Sequence, residues 1–427
     1  MKRLFLSLLF ICTLVLCLVA CDFEPAEPTE GVLYEISEDG THARVIGYEG
    51  NSIYVKIADT YEGLPVCVIG EEAFYDKQRI TYVYLPDSIT KIEDYAFANC
   101  YRLNDMELPA GVTSIGDYAF LHCWEIRHME LPVGVTSVGD CAFSACFDLK
   151  SFVFPDTVTF IGYNVFGSCN ELSSITLPKN ITHIPDRLFD SCAVETFTIP
   201  NTVTSIGKEA YATPKLTSIT IPDSVTSIGA GAFKSSKLTS VTIPDSITEI
   251  PSALFQNCRQ LQTVTLNENV ITIASDAFEG CNSLVYTVYG NCKYLGTKDN
   301  PYFALITTDN PYASTYEINE NTRVIANLAF SGCINMTSIA IPDSVEYIGN
   351  LAFYDCSVLS SVLMGEGVMS IGYAAFDGCS SLAFTEYGNC LYIGSVNNPY
   401  FALMDILGKE FEIHEDTRIV ADDVFID

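Results

Sequence analysis

Between Phe97 and Ala119 the apolar side chains fall at Phe97, Cys100, Leu103, Met106, Leu108, Val112, Ile115 and Ala119, with polar residues between them. The Leu-x-x-Met-x-Leu part runs into strict alternation, which predicts a half-buried strand. Pro109 ends that strand, because proline has no amide hydrogen for a ladder. Val112 to Gly116 predicts a second short β segment, and Gly116 lets the chain turn out of it. Asp117 to Phe120 then opens a tight helical or irregular turn. No segment keeps a helical period for the length of a helix.

The same order of residues returns along the chain. The closing aromatic is Phe74, Phe97, Phe120, Phe143, Phe166, Phe189, Tyr211, Phe233, Phe255 and Phe278, at steps of 22 or 23 residues. Phe330, Phe353 and Phe376 follow after a gap, and Phe425 stands near the end. A period of this length is too short for a unit with its own core. Stacked turns must bury their apolar sides against each other, each large buried side chain contributing roughly 1.5–3 kcal/mol.

Ten cysteines share one register, three residues after the aromatic: Cys100, Cys123, Cys146, Cys169, Cys192, Cys258, Cys281, Cys333, Cys356 and Cys379. They form a column along the stack, with neighbours about 4.8 Å apart. That separation admits a disulfide, but in-register side chains point the same way. Pro214 and Ser236 occupy the register in two other turns. The column therefore reads as small buried hydrophobes, with disulfide bridging as the alternative. No paired CxxC spacing points to a metal column.

Two stretches break the rhythm alike. YGNCKYLGTKDNPYFALI (289–306) and YGNCLYIGSVNNPYFALM (387–404) are near copies 98 residues apart. Each carries a Tyr/Leu-rich strand, an Asn-Pro turn and a second apolar strand. They predict hairpins or widened turns inserted in one solenoid.

The sentence GCxxLxxVxIPDSVTSIGxxAF resembles the BspA-type leucine-rich repeats of bacterial surface proteins. YEGLPVCVIGEEAF (61–74) resembles that family's opening turn, and the NPYFAL segments also resemble segments found there. The resemblance covers roughly residues 31–427. It implies a repeat solenoid, mainly β: a right-handed, curved leucine-rich-repeat solenoid with a parallel sheet, 22–23-residue turns and two inserted hairpin-like segments. For function it implies surface display and protein binding or adhesion. The expected layout is an N-terminal cap and first turn over 32–73 and repeats over 74–285. An inserted segment over 286–329, repeats over 330–385, and a second insert with a terminal turn over 386–427 complete it.

The N-terminus changes the picture of where the solenoid works. Lys2 and Arg3 precede a mostly apolar run from Leu4 to Val19, too short and wrongly flanked for a stable span. Leu18-Val19-Ala20-Cys21 resembles a bacterial lipobox, which implies a signal peptide over 1–20 and a lipidated Cys21. The acidic, proline-containing segment 21–31 then reads as a tether. Membrane contact is expected through the lipid anchor alone, on a surface-exposed protein of the bacterial cell envelope.

The formal net charge of −31 argues against nucleic acid as a partner. His42, His122, His128, His183 and His414 form no HExxH pair, and neither a GxSxG elbow nor a Walker loop is present. No catalytic residue, metal site or cofactor is assigned, and the chain is read as a non-enzymatic binding protein. Residues flanking the buried middle of each first strand face outward. In the middle turns these are Ser and Thr, as strand propensity and solubility alone would select. Near the start they are Tyr82/Tyr84, Asp105/Glu107 and His128/Glu130. With Trp124, the only tryptophan, these make the first candidate surface for a protein ligand of host or bacterial origin. The second candidate uses Tyr302 and Tyr400 of the inserts as stacking platforms for glycan or peptidoglycan.

Overall fold

The computed structural model of the protein describes residues 27–104 and 106–425. Cys21 and Asp105 lie outside the described residues. The chain is a parallel β-solenoid, with no helix among the described residues. It divides into two compact units. The first holds the described residues up to Ile181 together with Leu188–Val194; the second holds Thr182–Arg187 and the described residues from Glu195 onward.

In the first unit the hairpin Val32–Ile36/Ala43–Tyr48 is antiparallel. Its second strand pairs in parallel with Leu64–Ile69. The ladder continues through Lys91–Ile92, Ser114–Ile115, Ser137–Val138 and Phe160–Ile161. This is the row predicted from VTSIG. The predicted first strands form a separate ladder, seen as Tyr54–Lys56 with Tyr82–Tyr84 and as His128–Glu130, Ser151–Val153 and Ser174–Thr176. Most turns of this unit thus carry two short strands among the described residues, and each strand is held by its neighbours rather than by its own length.

The segment around each ring is neither helix nor plain strand. Tyr95 and Asn99, two residues either side of Phe97, sit in the left-handed region at φ 55° and 61°. Tyr118 and His122 repeat this around Phe120. The amides of Tyr95, Phe97 and Asn99 donate to the carbonyls of Asp117, Ala119 and Leu121, each at 2.8 Å. The turn therefore has an inter-turn ladder of its own, which satisfies its backbone without a helix. Asp94 Oδ1 also accepts the amide of Asp117 at 2.8 Å, and Asp117 Oδ1 that of Asp140 at 2.7 Å.

Ring stacking fills the core. Phe74, Phe97, Phe120 and Phe143 lie nearly parallel, with centroids 5.1–5.2 Å apart. Phe152 lies edge-on to both Phe143 and Phe166, whose centroids stand 6.3 Å apart. All cysteines of the column are buried and free. Cys100 Sγ donates to the carbonyl of Phe74 at 3.1 Å, and Cys123 and Cys146 do the same to Phe97 and Phe120. Burial pushes the Cys100 and Cys169 thiols up to about 12. They are neutral at ordinary pH and act as packing groups with a satisfied donor.

In the second unit Tyr211, Phe233, Phe255 and Phe278 continue the ring pattern, as do Phe330, Phe353 and Phe376. Short parallel ladders such as Thr196–Thr198 with Ser218–Thr220, and Ser240–Thr242 with Thr263–Thr265, carry the Ser/Thr rows outward. The inserts interrupt these ladders. Thr287–Tyr289, Cys292–Leu295 and Ala304–Thr308 form an antiparallel meander whose last strand returns to the parallel ladder at Val324–Ile325. Thr385–Tyr387, Cys390–Ile393 and Ala402–Ile406 repeat it, re-entering at Ile419–Val420.

Candidate functional site

On the first-strand face of the first unit, Tyr82 and Tyr84 flank the buried Val83, and their rings meet at 4.5 Å. Tyr54 and Lys56 stand opposite them across the ladder. Tyr54 therefore belongs to the same aromatic corner. Its Tyr-Val-Lys alternation was the sequence signal for it. Glu107 is exposed. His128 and Glu130 are exposed on either side of buried Met129. His128 Nδ1 lies 2.7 Å from Ser151 Oγ, and Glu130 stands opposite the exposed Val153.

Trp124 lies off this face, in the loop register just after the cysteine column. Its indole stacks on Tyr101 at 4.2 Å and on Phe147 at 5.7 Å. Trp124 remains 41% exposed and Phe147 37%. Three consecutive turns thus place an aromatic at one register and hold it by stacking. A second row lies on the other flank of the ring column, where Tyr95 and Tyr118 stack at 4.7 Å. The residue periodicity already held both rows, since each repeats at one position of the turn. The structure separates Trp124 from the tyrosine corner and gives it Tyr101 and Phe147 as companions.

In each insert a Gly-Asn pair with positive φ closes the first hairpin: Gly290/Asn291 at 57° and 64°, Gly388/Asn389 at 55° and 61°. Two successive left-handed residues make the turn whose twist matches the strands. A Cβ on Gly290 or Gly388 would lie 2.1 or 2.3 Å from the carbonyl oxygen of Glu317 or Glu412. Tyr294 and Tyr392 are fully buried. Their hydroxyls accept the amides of Asn319 at 3.2 Å and His414 at 3.0 Å. Asn300 and Asn398 shape the Asn-Pro turns, their Oδ1 accepting the amides of Tyr302 and Tyr400.

Tyr302 and Tyr400 are half-buried. Tyr302 meets Tyr289 and Tyr294 edge-on at 6.0 and 5.6 Å. Tyr400 meets Tyr387 and Tyr392 in the same way, and one of its faces is covered by His414 at 3.7 Å. Beside Tyr400 opens a polar basin of about 680 Å³ that Glu366, Asn397, Asp416 and Arg418 help to line. Glu366 Oε1 accepts the Asn397 side-chain amide at 2.7 Å. Among the described residues Arg418 has no carboxylate within ion-pair distance. Among the described residues, too, no group of three or more His, Cys, Asp or Glu is arranged to hold a metal ion.

Comparison with known proteins places this architecture. A family described as the BspA type leucine rich repeat region matches residues 68–195, 182–299 and 309–426. The chain belongs to the BspA-type leucine-rich repeat family. Among solved structures, this BspA-type chain is similar to a leucine-rich repeat protein from Bacteroides ovatus. The two are 22% identical, with a TM-score of 0.58, over 93% of this chain and 100% of the other. It is also similar to a leucine rich cell surface protein from Faecalibacterium prausnitzii, 25% identical over 85% of this chain and 94% of the other, with a TM-score of 0.49. No curated protein matches the chain. In this BspA-type chain the positions that repeat from turn to turn are structural rows, so candidate function lies where the rows depart from their default.

Proposed function

We propose that this BspA-type chain is a bacterial surface protein that binds a protein partner without catalysis. The first unit is its gripping surface. The observation that carries this reading is the Tyr101–Trp124–Phe147 row, exposed yet held in place by mutual stacking. Rigid, exposed aromatics bury large area on a partner at little cost in side-chain entropy, and they dominate binding hot spots. The tyrosine corner at Tyr54, Tyr82 and Tyr84 and the polar row of Glu107, His128 and Glu130 offer a second, separate surface on the first-strand face of the same unit, to which Asp105 belongs by its place in the sequence. The lipobox and acidic tether support display on the cell envelope through lipid on Cys21, with host or neighbouring-cell proteins as the partner class.

The test uses the full chain against immobilised extracellular-matrix and bacterial surface proteins. Trp124→Ala is expected to weaken binding by about thirtyfold, the scale of a hot-spot loss of about 2 kcal/mol. Thr220→Ala in the Ser/Thr row leaves it unchanged. Equal binding by the two variants rejects the first unit as the gripping surface. Metabolic fatty-acid labelling that survives Cys21→Ala rejects the anchor.

The basin beside Tyr400 favours a second reading, a glycan or peptidoglycan module, because it joins a stacked aromatic to an unpaired guanidinium and amides. Loss of glycan binding in Arg418→Ala but not in Arg323→Ala would support it. Tyr302→Ala and Tyr400→Ala separate the two inserts in the same assay.

A further inference from the structure

A second cavity, of about 230 Å³, lies within the first unit, between the end of the N-terminal hairpin and the first ring-bearing turn. Its walls are built. Tyr48 is buried and packs on Phe74 at 5.9 Å. Its hydroxyl accepts the amide of Ser52 at 2.8 Å. The loop wraps this hydroxyl so closely that a Cβ on Gly50 would sit 2.5 Å from it. Asn51 and Ser52 form the rim on that side, and Tyr48 with the buried Ile80 supplies an apolar wall.

The opposite side is Asp76–Ile80. Lys77 stands at the register that later turns give to cysteine. Those thiols fill the space between turns, whereas at Lys77 a cavity opens. Asp76 lines the same cavity and offsets part of the Lys77 charge without forming an ion pair. The Asp76 carboxylate accepts the Gln78 side-chain amide at 2.9 Å. Among the described residues neither Lys77 nor Arg79 has a carboxylate within ion-pair distance. Elsewhere in the unit Arg44 and Lys91 are both bound to Glu93. Two cations without ion-pair partners against one carboxylate leave the cavity net positive in a chain of net charge −31, which favours an anion there. The volume is below that of drug-sized pockets, about 300–1,000 Å³, and suits a single ring. Amides at the rim and one apolar wall suit a ring that carries hydroxyls.

We infer that this cavity binds an acidic monosaccharide, its carboxylate held between Lys77 and Arg79 and its ring lying against Tyr48 and Ile80. The site is independent of the protein-binding surface proposed above, and its test does not use that partner. Glucuronate, galacturonate, glucose, acetate, inorganic phosphate and an acidic dipeptide are titrated into the full chain by calorimetry and saturation-transfer NMR. A uronate is expected to bind, at least tenfold more tightly than glucose or acetate, and more weakly as salt rises. Arg79→Ala and Lys77→Ala are each expected to lower that affinity about tenfold or more, while Lys215→Ala leaves it unchanged. Arg79 is exposed and Lys77 half-buried, and an unchanged melting transition confirms that the variants fold. The inference is overturned if no uronate binds at millimolar concentration, or if binding survives both substitutions. Acetate, phosphate or the acidic dipeptide binding as tightly as the uronate overturns the assignment to a sugar.

Discussion

The two inserts are near copies in sequence, and their backbones repeat strand for strand. Their chemistry differs all the same. Arg323 in the first is bonded to Glu346 of the following turn, whereas Arg418, its counterpart, has no carboxylate partner among the described residues. Asn319 in the first is His414 in the second, and only His414 lies over a tyrosine face. Tyr316 is buried against Phe330, while Phe411 at the matching place is 45% exposed beside Phe425. A near-copied segment thus carries an ion-paired arginine once and an arginine beside a polar basin once. The difference comes from a few substitutions and from which residues the neighbouring turn supplies.

The sharpest way to test the shared part is at the turns. Gly290→Val and Gly388→Val should each destabilise the fold by at least about 2 kcal/mol, since both strain and collision oppose a side chain there. Urea unfolding reads this. A loss in one insert alone would break the equivalence of the two. Next in size, His414→Ala should cost about 1 kcal/mol through the lost stacking on Tyr400, and His414→Phe should restore most of it. Asn319→Ala should cost less, having no ring contact to lose. Smaller still, Arg323→Ala should cost about 0.5 kcal/mol, as expected for a partly exposed ion pair, and Arg418→Ala close to nothing.

The smallest effect is a titration. Hydrogen bonds to Glu317 and Glu412 raise the phenols of Tyr289 and Tyr387 above the usual tyrosine value of 10.0. A group that holds its proton more tightly when folded stabilises the fold below the unfolded value. That contribution is lost as pH rises through the folded value, so it disappears above about pH 10. Ultraviolet titration should show both phenols ionising late, and Glu317→Gln should return Tyr289 alone towards the ordinary value.

Much of this was legible in the residues before any coordinates. The steps between Phe74 and Phe278 and the cysteine register predicted the buried columns, because a stack repeats one side-chain environment per turn. The near-copied NPYFAL stretches predicted twin hairpins. Tyr82, Tyr84, His128 and Glu130 were legible as outward residues from alternation alone. Less legible was the turn around each ring. Its left-handed residues include Tyr95, Tyr118 and Cys141, which no local propensity marks; the inter-turn ladder overrides preference there. The stacking of Trp124 on Tyr101 and Phe147 was less legible too, although all three share one register, because spacing along the chain does not say which way neighbouring side chains tilt.

Period, rung boundaries, buried columns and hairpin turns follow from the chain's own spelling, since each depends on spacing within one turn or on backbone freedom at one residue. Partnership does not. Whether Lys77 faces a cavity, whether Arg323 finds Glu346, and whether Trp124 stands alone or in a row depend on residues one turn or more away. A linear pattern names the faces of a rung. Only stacking brings those faces into register, and charge, stacking and cavity volume act between rungs, over a few ångströms of space rather than along the chain.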